Sequence, residues 1–503
     1  MQAVFRADAT AALGSGHVMR CLTLARALRR LGWRCDFAVN PEAPEVVPAL
    51  ARERPQLLAP GNDDPENLRR LWPDGVDWLV VDHYGLDAAW ESRCRPWARS
   101  LLAIDDLANR PHDCDVLLDQ TFGRQPEDYA QLVPTSCRVL TGTAQALLRP
   151  GFVRARPASL ARRAAATGLR RLVVSLGGTD PENHTAAALR GIAQCDPGLA
   201  VDVVLGSAAP HLAEVRRQIA RMPQEAQLHV DVTAMEDLLS AADLAVGAAG
   251  TATWERCCLG LPTLLVVIAP NQRLVAEAVA GAGAARLLTG PREELATQIT
   301  EALREFAANN GPLRAMGERA AEICDGRGCD RLGLELVARG RANNGGAVAL
   351  RLAEPDDEDT LLAWQRHPST RKFARNPEAP TAAEHHSWFA ARLADPDCLL
   401  TMITLDGEAV GMLRRDPPTA PRQASGPECR EVSILVDPER RNLGIALEAL
   451  NFARRWQGNT VIAATVLRGN EASGALFRAA GYHAGPDGLL YCRPAQSAIN
   501  PGQ

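Results

Sequence analysis

The sequence predicts two successive α/β segments, each a parallel sheet with crossover helices, followed by a smaller α+β domain. Three observations carry this reading. Apolar strand-like runs alternate with helical stretches through residues 1–340, the pattern of βα units. A glycine-bracketed turn follows the first strand at Gly14 and Gly16, and the same arrangement returns at Gly177 and Gly178. Beyond the glycine- and asparagine-rich stretch 343–346 a fresh strand pattern starts at Val348. The 503 residues exceed one core, and about 150 residues per domain suggests three, placed at 1–150, 165–340 and 346–495.

Residues 3–7 read as the opening strand. From His17 onward Cys21, Leu24, Leu28 and Leu31 recur at helical spacing, so the loop of Gly14 and Gly16 feeds a helix N-terminus. Such an end carries unpaired N–H groups and partial positive charge, and glycines let an anion approach closely. The local pattern leaves His17 two readings, a base at the mouth of an anion site or a half-buried histidine at a helix start. Further strands are predicted at 35–39, 78–82, 101–105 and 116–118. Polar residues stand at or just after their ends: Asp82, His83 and Tyr84, then Asp105 and Asp106. In open α/β sheets that edge binds ligands. Asp82 and Asp105 either cap strand-end N–H groups or take part in catalysis, which requires hydrogen-bond reach.

Residues 147–163, rich in proline and arginine, read as a linker. The second segment then runs RRLVVSLGGTDPENHT into an alanine-rich helix after Asn183, with strands at 201–205, 228–232, 244–247 and 263–268. Two Rossmann-like halves around a shared cleft form the GT-B architecture, in which a linker lets the halves close. In VGAAGTATWERCCLGLP, Gly250, Thr251 and Thr253 precede a helix containing Glu255, which is either a solvated helix residue or a ligand-binding one.

Composition narrows the chemistry. A net charge of -5, no basic run and 4% aromatics argue against nucleic-acid binding, leaving small-molecule chemistry. Thirteen scattered cysteines show no zinc spacing and predict reduced, buried thiols, with no metal expected. The chain opens on a strand without a signal pattern and has no run of about 18 apolar residues, so a cytoplasmic protein off the membrane is expected. Lys372 is the sole lysine among 55 basic residues, which removes nearly every candidate for a Schiff base or Walker lysine.

In the third segment a strand at 432–436 runs into Arg441-x-x-Gly444-x-Ala446 and a helix, where successive N–H groups form a nest for a pyrophosphate. A second strand at 461–466 leads to Asn470, Ser473, Leu476 and Phe477, then Gly481 and Tyr482. These two motifs, in this order, resemble those of the GNAT N-acetyltransferases, which implies acetyl-CoA as cosubstrate, held by Arg441, Gly444, Ala446 and Asn470. Many members carry a tyrosine where Phe477 stands; phenylalanine cannot donate a proton to the leaving thiolate, and Tyr482, Tyr491 or solvent are the substitutes. Glu431 is either the base or an ordinary strand-end carboxylate.

The run RAD(x5)GSGHVMRCLTLA, with DHYGLD at 82–87 and IDDLANR at 104–110, resembles the UDP-2,4-diacetamido-2,4,6-trideoxy-β-L-altropyranose hydrolases of pseudaminic acid biosynthesis over residues 1–340. The resemblance implies a UDP-sugar substrate and catalytic roles for His17, Tyr84 and Asn271. It also implies diphosphate contacts at Gly14, Gly16, Gly177, Gly178, Gly250 and Thr251, and ribose hydroxyls on Glu255. An acetylase fused to such a hydrolase fits two steps of one pathway, acetylation of a 4-amino sugar nucleotide and then loss of UDP. A GT-B glycosyltransferase or a hydrolysing UDP-sugar 2-epimerase, with a non-catalytic acetyl-CoA-binding module, is the competing reading.

Overall fold

The computed structural model describes residues 1–10, 13–59, 61, 63–196, 198–417, 429–456, 458, 460–485 and 488–492. The expected end of the third segment at 495 lies outside them. By contact the chain forms two compact units, Met1–Arg26 with Arg34–Cys329, and Ala27–Trp33 with Asp330–Gln503.

The first unit holds two parallel sheets. One comprises β1 (Gln2–Ala7), β2 (Arg34–Val39), β3 (Gln56–Leu57), β4 (Val76–Asp82), β5 (Ala98–Ile104), β6 (Val116–Asp119) and β7 (Arg138–Thr141), in the order β3-β2-β1-β4-β5-β6-β7. The other comprises β8 (Arg171–Ser175), β9 (Ala200–Leu205), β10 (Ala226–Val230), β11 (Leu244–Ala248), β12 (Thr263–Val266) and β13 (Arg286–Leu288), in the order β10-β9-β8-β11-β12-β13. Both are Rossmann-like and doubly wound, and together they give the first unit its GT-B architecture. Strand direction of travel reverses between β1 and β4 and between β8 and β11, the places where such sheets open a crevice.

Helices cover both faces, so the strands are apolar without alternation; all five residues of β11 are buried. Successive residues feed opposite cores. Val174, Val246 and Leu264 pack in one cluster, while Val173, Ala245 and Leu265 pack in the other.

Residues 147–163 are not a linker: Pro150–Ala164 is an α-helix. Pro150 occupies the first helical turn, where its missing N–H costs nothing. The arginines that made this stretch look irregular serve the ends of other helices, whose last carbonyls have no partner within their own helix. Arg156 donates to the carbonyls of Cys258, Ala321 and Cys324, and Arg162 to those of Ser240 and Ala242. Arg163 donates to Leu239 (2.7 Å), Leu259 (2.9 Å) and Ala242. Arg163→Met keeps the aliphatic stem but takes the donor from Leu239 O, while Ala242 O retains Arg162 and Leu259 O retains the Ser159 hydroxyl. Its expected cost is about 2 kcal/mol, read as a lower urea midpoint; an unchanged midpoint would contradict this account of the helix.

The second unit carries an eight-stranded sheet: β14 (Arg339–Arg341), β15 (Ala347–Leu352), β16 (Leu399–Leu405), β17 (Glu408–Asp416), β18 (Cys429–Val436), β19 (Val461–Ala464), β20 (His483–Ala484) and β21 (Leu490–Cys492). The expected junction near residue 345 is a hairpin turn inside this sheet. β14 pairs antiparallel with β15, and Ala342 N–H closes on Gly346 O at 2.9 Å, with Gly345 at φ +86°. The Asn-Asn-Gly-Gly composition serves a tight turn. Only β18 and β19 pair parallel, and only over Cys429–Glu431 against Val461–Ala463; beyond that no pairing continues between them. None of the thirteen cysteines is in a disulfide, and among the described residues no helix is long and apolar enough to cross a membrane.

Candidate active site

The helix Gly16–Arg30 starts immediately after the first glycine loop, where Gly14 (φ +81°) donates to Thr10 O at 2.8 Å. His17, Arg20 and Cys21 lie at i, i+3 and i+4, so one helix face carries all three. They meet a single carboxylate, Asp82, the last residue of β4 and register partner of Ala7 at the end of β1. His17 Nδ1 lies 3.1 Å from Asp82 Oδ1 and 3.2 Å from Asp82 O. Arg20 grips the same carboxylate with Nε and Nη2, both at 2.6 Å. Burial works to raise the Asp82 carboxyl, but the charges of Arg20 and then His17 outweigh it and hold it below the usual range.

Two acceptors at Nδ1 place the proton there, so His17 Nε2 carries the lone pair. The strand-end capping alternative fails at Asp82, whose carboxylate meets side chains. It holds at Asp105, which accepts from Leu107 N–H (3.3 Å) and Ala108 N–H (2.8 Å) as well as Arg110 and Tyr129.

Beyond Asp82 the polar contacts continue. Arg20 Nη1 donates to Asp106 Oδ2 (3.0 Å), Tyr84 O–H donates to Asp106 Oδ1 (2.9 Å), and Asn271 Nδ2 donates to Tyr84 Oη (3.2 Å). The Tyr84 ring meets the imidazole edge to face at 4.5 Å. Burial and then Asp106 push the Tyr84 phenol above its ordinary range. His17, Tyr84 and Asn271 thus come together, joined through Arg20 and Asp106. Arg20 had a signal in the sequence, its i+3 spacing from His17; Asp106 had none that set it apart from Asp105.

The glycine turns of the two halves also approach each other. A Cβ on Gly16 would lie 3.7 Å from Thr251 Oγ1, and one on Gly178 would lie 3.9 Å from Ser15 Oγ; within the second half, one on Gly250 would lie 3.6 Å from Gln272 Nε2. Gly177 has φ +98°, a conformation that favours glycine. The helix His184–Ile192 that follows is capped by its own chain: Asp180 accepts from the N–H groups of His184 and Thr185, and Asn183 from that of Ala186.

Glu255, on the helix Ala252–Cys258, stands 3.7 Å from Arg149, which also lies 3.5 Å from Glu236. Burial pushes its carboxyl up to about 7, against the pull of Arg149 and Arg256. Arg256 lies buried under the turn, donating to Ala248 O at 2.7 Å, and a Cβ on Gly247 would come within 2.6 Å of its guanidinium. Among the described residues no group of three His, Cys, Asp or Glu is arranged to hold a metal ion.

In the second unit Gly444 (φ +78°) caps the helix Ile445–Arg455, with Asn442 also left-handed at φ +64°. A side chain at Gly444 would collide with Asn343 Oδ1 at 2.6 Å. Arg441 donates to Ser369 Oγ (2.8 Å), and Ala446 sits in the first helical turn. Asn470 is the cap of the helix Glu471–Ala479, accepting from Ser473 N–H at 3.1 Å. Glu431 is ion-paired with Arg375 and accepts from Thr465 Oγ1 at 2.9 Å. Phe477 is buried against Tyr482 at 5.0 Å, and the Tyr482 hydroxyl is buried without a hydrogen bond. Burial pushes that phenol above its ordinary range, an environment opposed to proton release.

The first unit therefore has GT-B architecture, with a histidine-carboxylate pair where both crevices open, and the second carries a GNAT fold. Residues 348–483 match the family model described as acetyltransferase (GNAT) domain. The chain is a homologue of the UDP-2,4-diacetamido-2,4,6-trideoxy-β-L-altropyranose hydrolase of Campylobacter jejuni, 23% identical over 287 residues, covering 56% of this chain and 97% of that protein. It is also similar to the spore coat polysaccharide biosynthesis protein SpsG of Bacillus subtilis, 26% identical over 334 residues, 63% of this chain and 93% of that one. Among solved structures, MurG of Acinetobacter baumannii matches with a TM-score of 0.47 at 16% identity, over 66% of this chain and 98% of that one.

Proposed function

We propose that the first unit hydrolyses a UDP-linked diacetamido-trideoxy hexose to free sugar and UDP, and that the second unit acetylates the 4-amino precursor from acetyl-CoA. The observation that carries the hydrolase reading is the His17–Asp82 pair, with Nε2 turned away from its carboxylate at the meeting of two glycine-lined crevices. Water attacks the anomeric carbon as its proton passes to His17 Nε2, and the bond from that carbon to the UDP oxygen breaks. Asp82 holds the imidazole and stabilises the imidazolium. The departing diphosphate is met by backbone N–H groups around Gly14, Gly16, Gly177, Gly178, Gly250 and Thr251, and the ribose by Glu255.

In the acetylation step acetyl-CoA lies on the nest from Arg441 through Gly444 to Ala446, near Asn470, with its thioester where β18 and β19 part. The acceptor nitrogen attacks the thioester carbonyl, the C–S bond breaks, and solvent protonates the thiolate. Glu431 takes the ammonium proton after the acceptor displaces Arg375. The ion pair on Glu431 and the buried Tyr482 hydroxyl favour a second reading for this domain, an acetyl-CoA-binding module without turnover.

One experiment separates these. The protein is given the 4-amino sugar nucleotide with acetyl-CoA, and thiol, UDP and sugar are followed by NMR. Thiol release followed by UDP release supports both activities. UDP release solely from pre-acetylated sugar supports the hydrolase with a silent module, and transfer to another acceptor or a 2-epimerised product would contradict the hydrolase.

A further inference from the structure

Tyr84 has one hydroxyl proton to give. It goes to Asp106 Oδ1, because a carboxylate accepts and does not donate, and Arg20 Nη1 fills the other oxygen. The remaining contact of the hydroxyl, 3.2 Å from the side-chain amide of Asn271, is then one in which Tyr84 accepts. Asn271 must turn its NH2 toward Tyr84 and its Oδ1 elsewhere. That oxygen has no hydrogen-bond partner among the described residues, on a side chain whose amide nitrogen meets the Tyr84 hydroxyl.

Resting on the UDP-sugar reading above, we propose that Asp106 is a positioning residue. It fixes the hydrogen-bond polarity of the Tyr84–Asn271 contact, so that Asn271 offers a carbonyl oxygen and the cleft selects a sugar bearing an N–H or O–H donor at that point. Asp106→Asn keeps the shape and reverses the polarity. Its amide oxygen stays on Arg20 and its NH2 donates to Tyr84, so Tyr84 donates to Asn271 and Asn271 turns its NH2 to the ligand. A sugar donor then meets a donor.

The test is calorimetric, on the full chain carrying His17→Gln so that the substrate is not turned over during the titration, with two probes: UDP, and UDP-2,4-diacetamido-2,4,6-trideoxy-β-L-altropyranose. In Asp106→Asn the Kd for UDP is expected to stay unchanged while that for the sugar nucleotide rises about tenfold, the scale of one neutral hydrogen bond. In a Tyr84→Phe background the same substitution should add nothing, because the contact it polarises is gone. A merely structural role would weaken both probes together and persist in that background. Unchanged sugar-nucleotide affinity in Asp106→Asn, or an equal loss with Tyr84→Phe, overturns the proposal. A His17→Gln protein with Asp106 and Tyr84 intact that binds neither probe contradicts the UDP-sugar reading itself, and the proposal with it.

Discussion

His17→Gln is expected to lower kcat for UDP release by ~10²- to 10⁴-fold, the usual contribution of a positioned base, with KM little changed. Glutamine preserves volume and a donor toward Asp82 but cannot take up a proton. The loss falls on kcat because the ring contacts water in the transition state and the nucleotide is held elsewhere, by the glycine turns. Steady-state kinetics on the purified variant, beside unchanged UDP affinity, checks this. A variant that keeps wild-type kcat would remove the base from the account.

Arg20→Met is expected to be the most destabilising substitution at the site, costing ~3–5 kcal/mol, the scale seen when one partner of a buried ion pair is removed. Asp82 is fully buried, and Arg20 supplies two charged hydrogen bonds to it beside the weaker His17 Nδ1 contact. The effect has a defined pH dependence. In the wild type the Asp82 carboxyl is held below its unfolded range, so its contribution is complete above ~3.9 and is lost as pH falls through the folded value. Without Arg20 burial dominates and the folded value lies above the unfolded one, so the variant gains relative stability as Asp82 takes up a proton. Urea unfolding should therefore show the gap between variant and wild type narrowing from pH 8 toward ~pH 5. A gap that widens on acidification would contradict this role for Arg20.

Much of the fold was legible because parallel strands covered on both faces must be apolar along their whole length, as in β11, and no loop pattern imitates that. The candidate cluster is partly legible. His17 opens the helix after a glycine turn, Tyr84 stands just past a strand end, and Asn271 follows a strand in the other half. Asp106 was hidden because it adjoins Asp105, and the choice between them depends on which way each faces: Asp105 toward Tyr129 and Arg110, Asp106 toward Arg20 and Tyr84. The helix Pro150–Ala164 was misread for a similar reason. Its arginines bond carbonyls about 75 to 170 residues away, a demand that no local window contains. The turn at 343–346 reads as a boundary in the sequence because Asn-Asn-Gly-Gly serves a junction and a hairpin equally well.

Attack of water at the anomeric carbon, rather than at phosphorus, is tested by turnover of UDP-2,4-diacetamido-2,4,6-trideoxy-β-L-altropyranose in water enriched in heavy oxygen, with the released UDP weighed by mass spectrometry. Attack at carbon leaves the original oxygen on the diphosphate, so the account predicts unlabelled UDP. UDP carrying the heavy oxygen would mean attack at phosphorus and would contradict the mechanism.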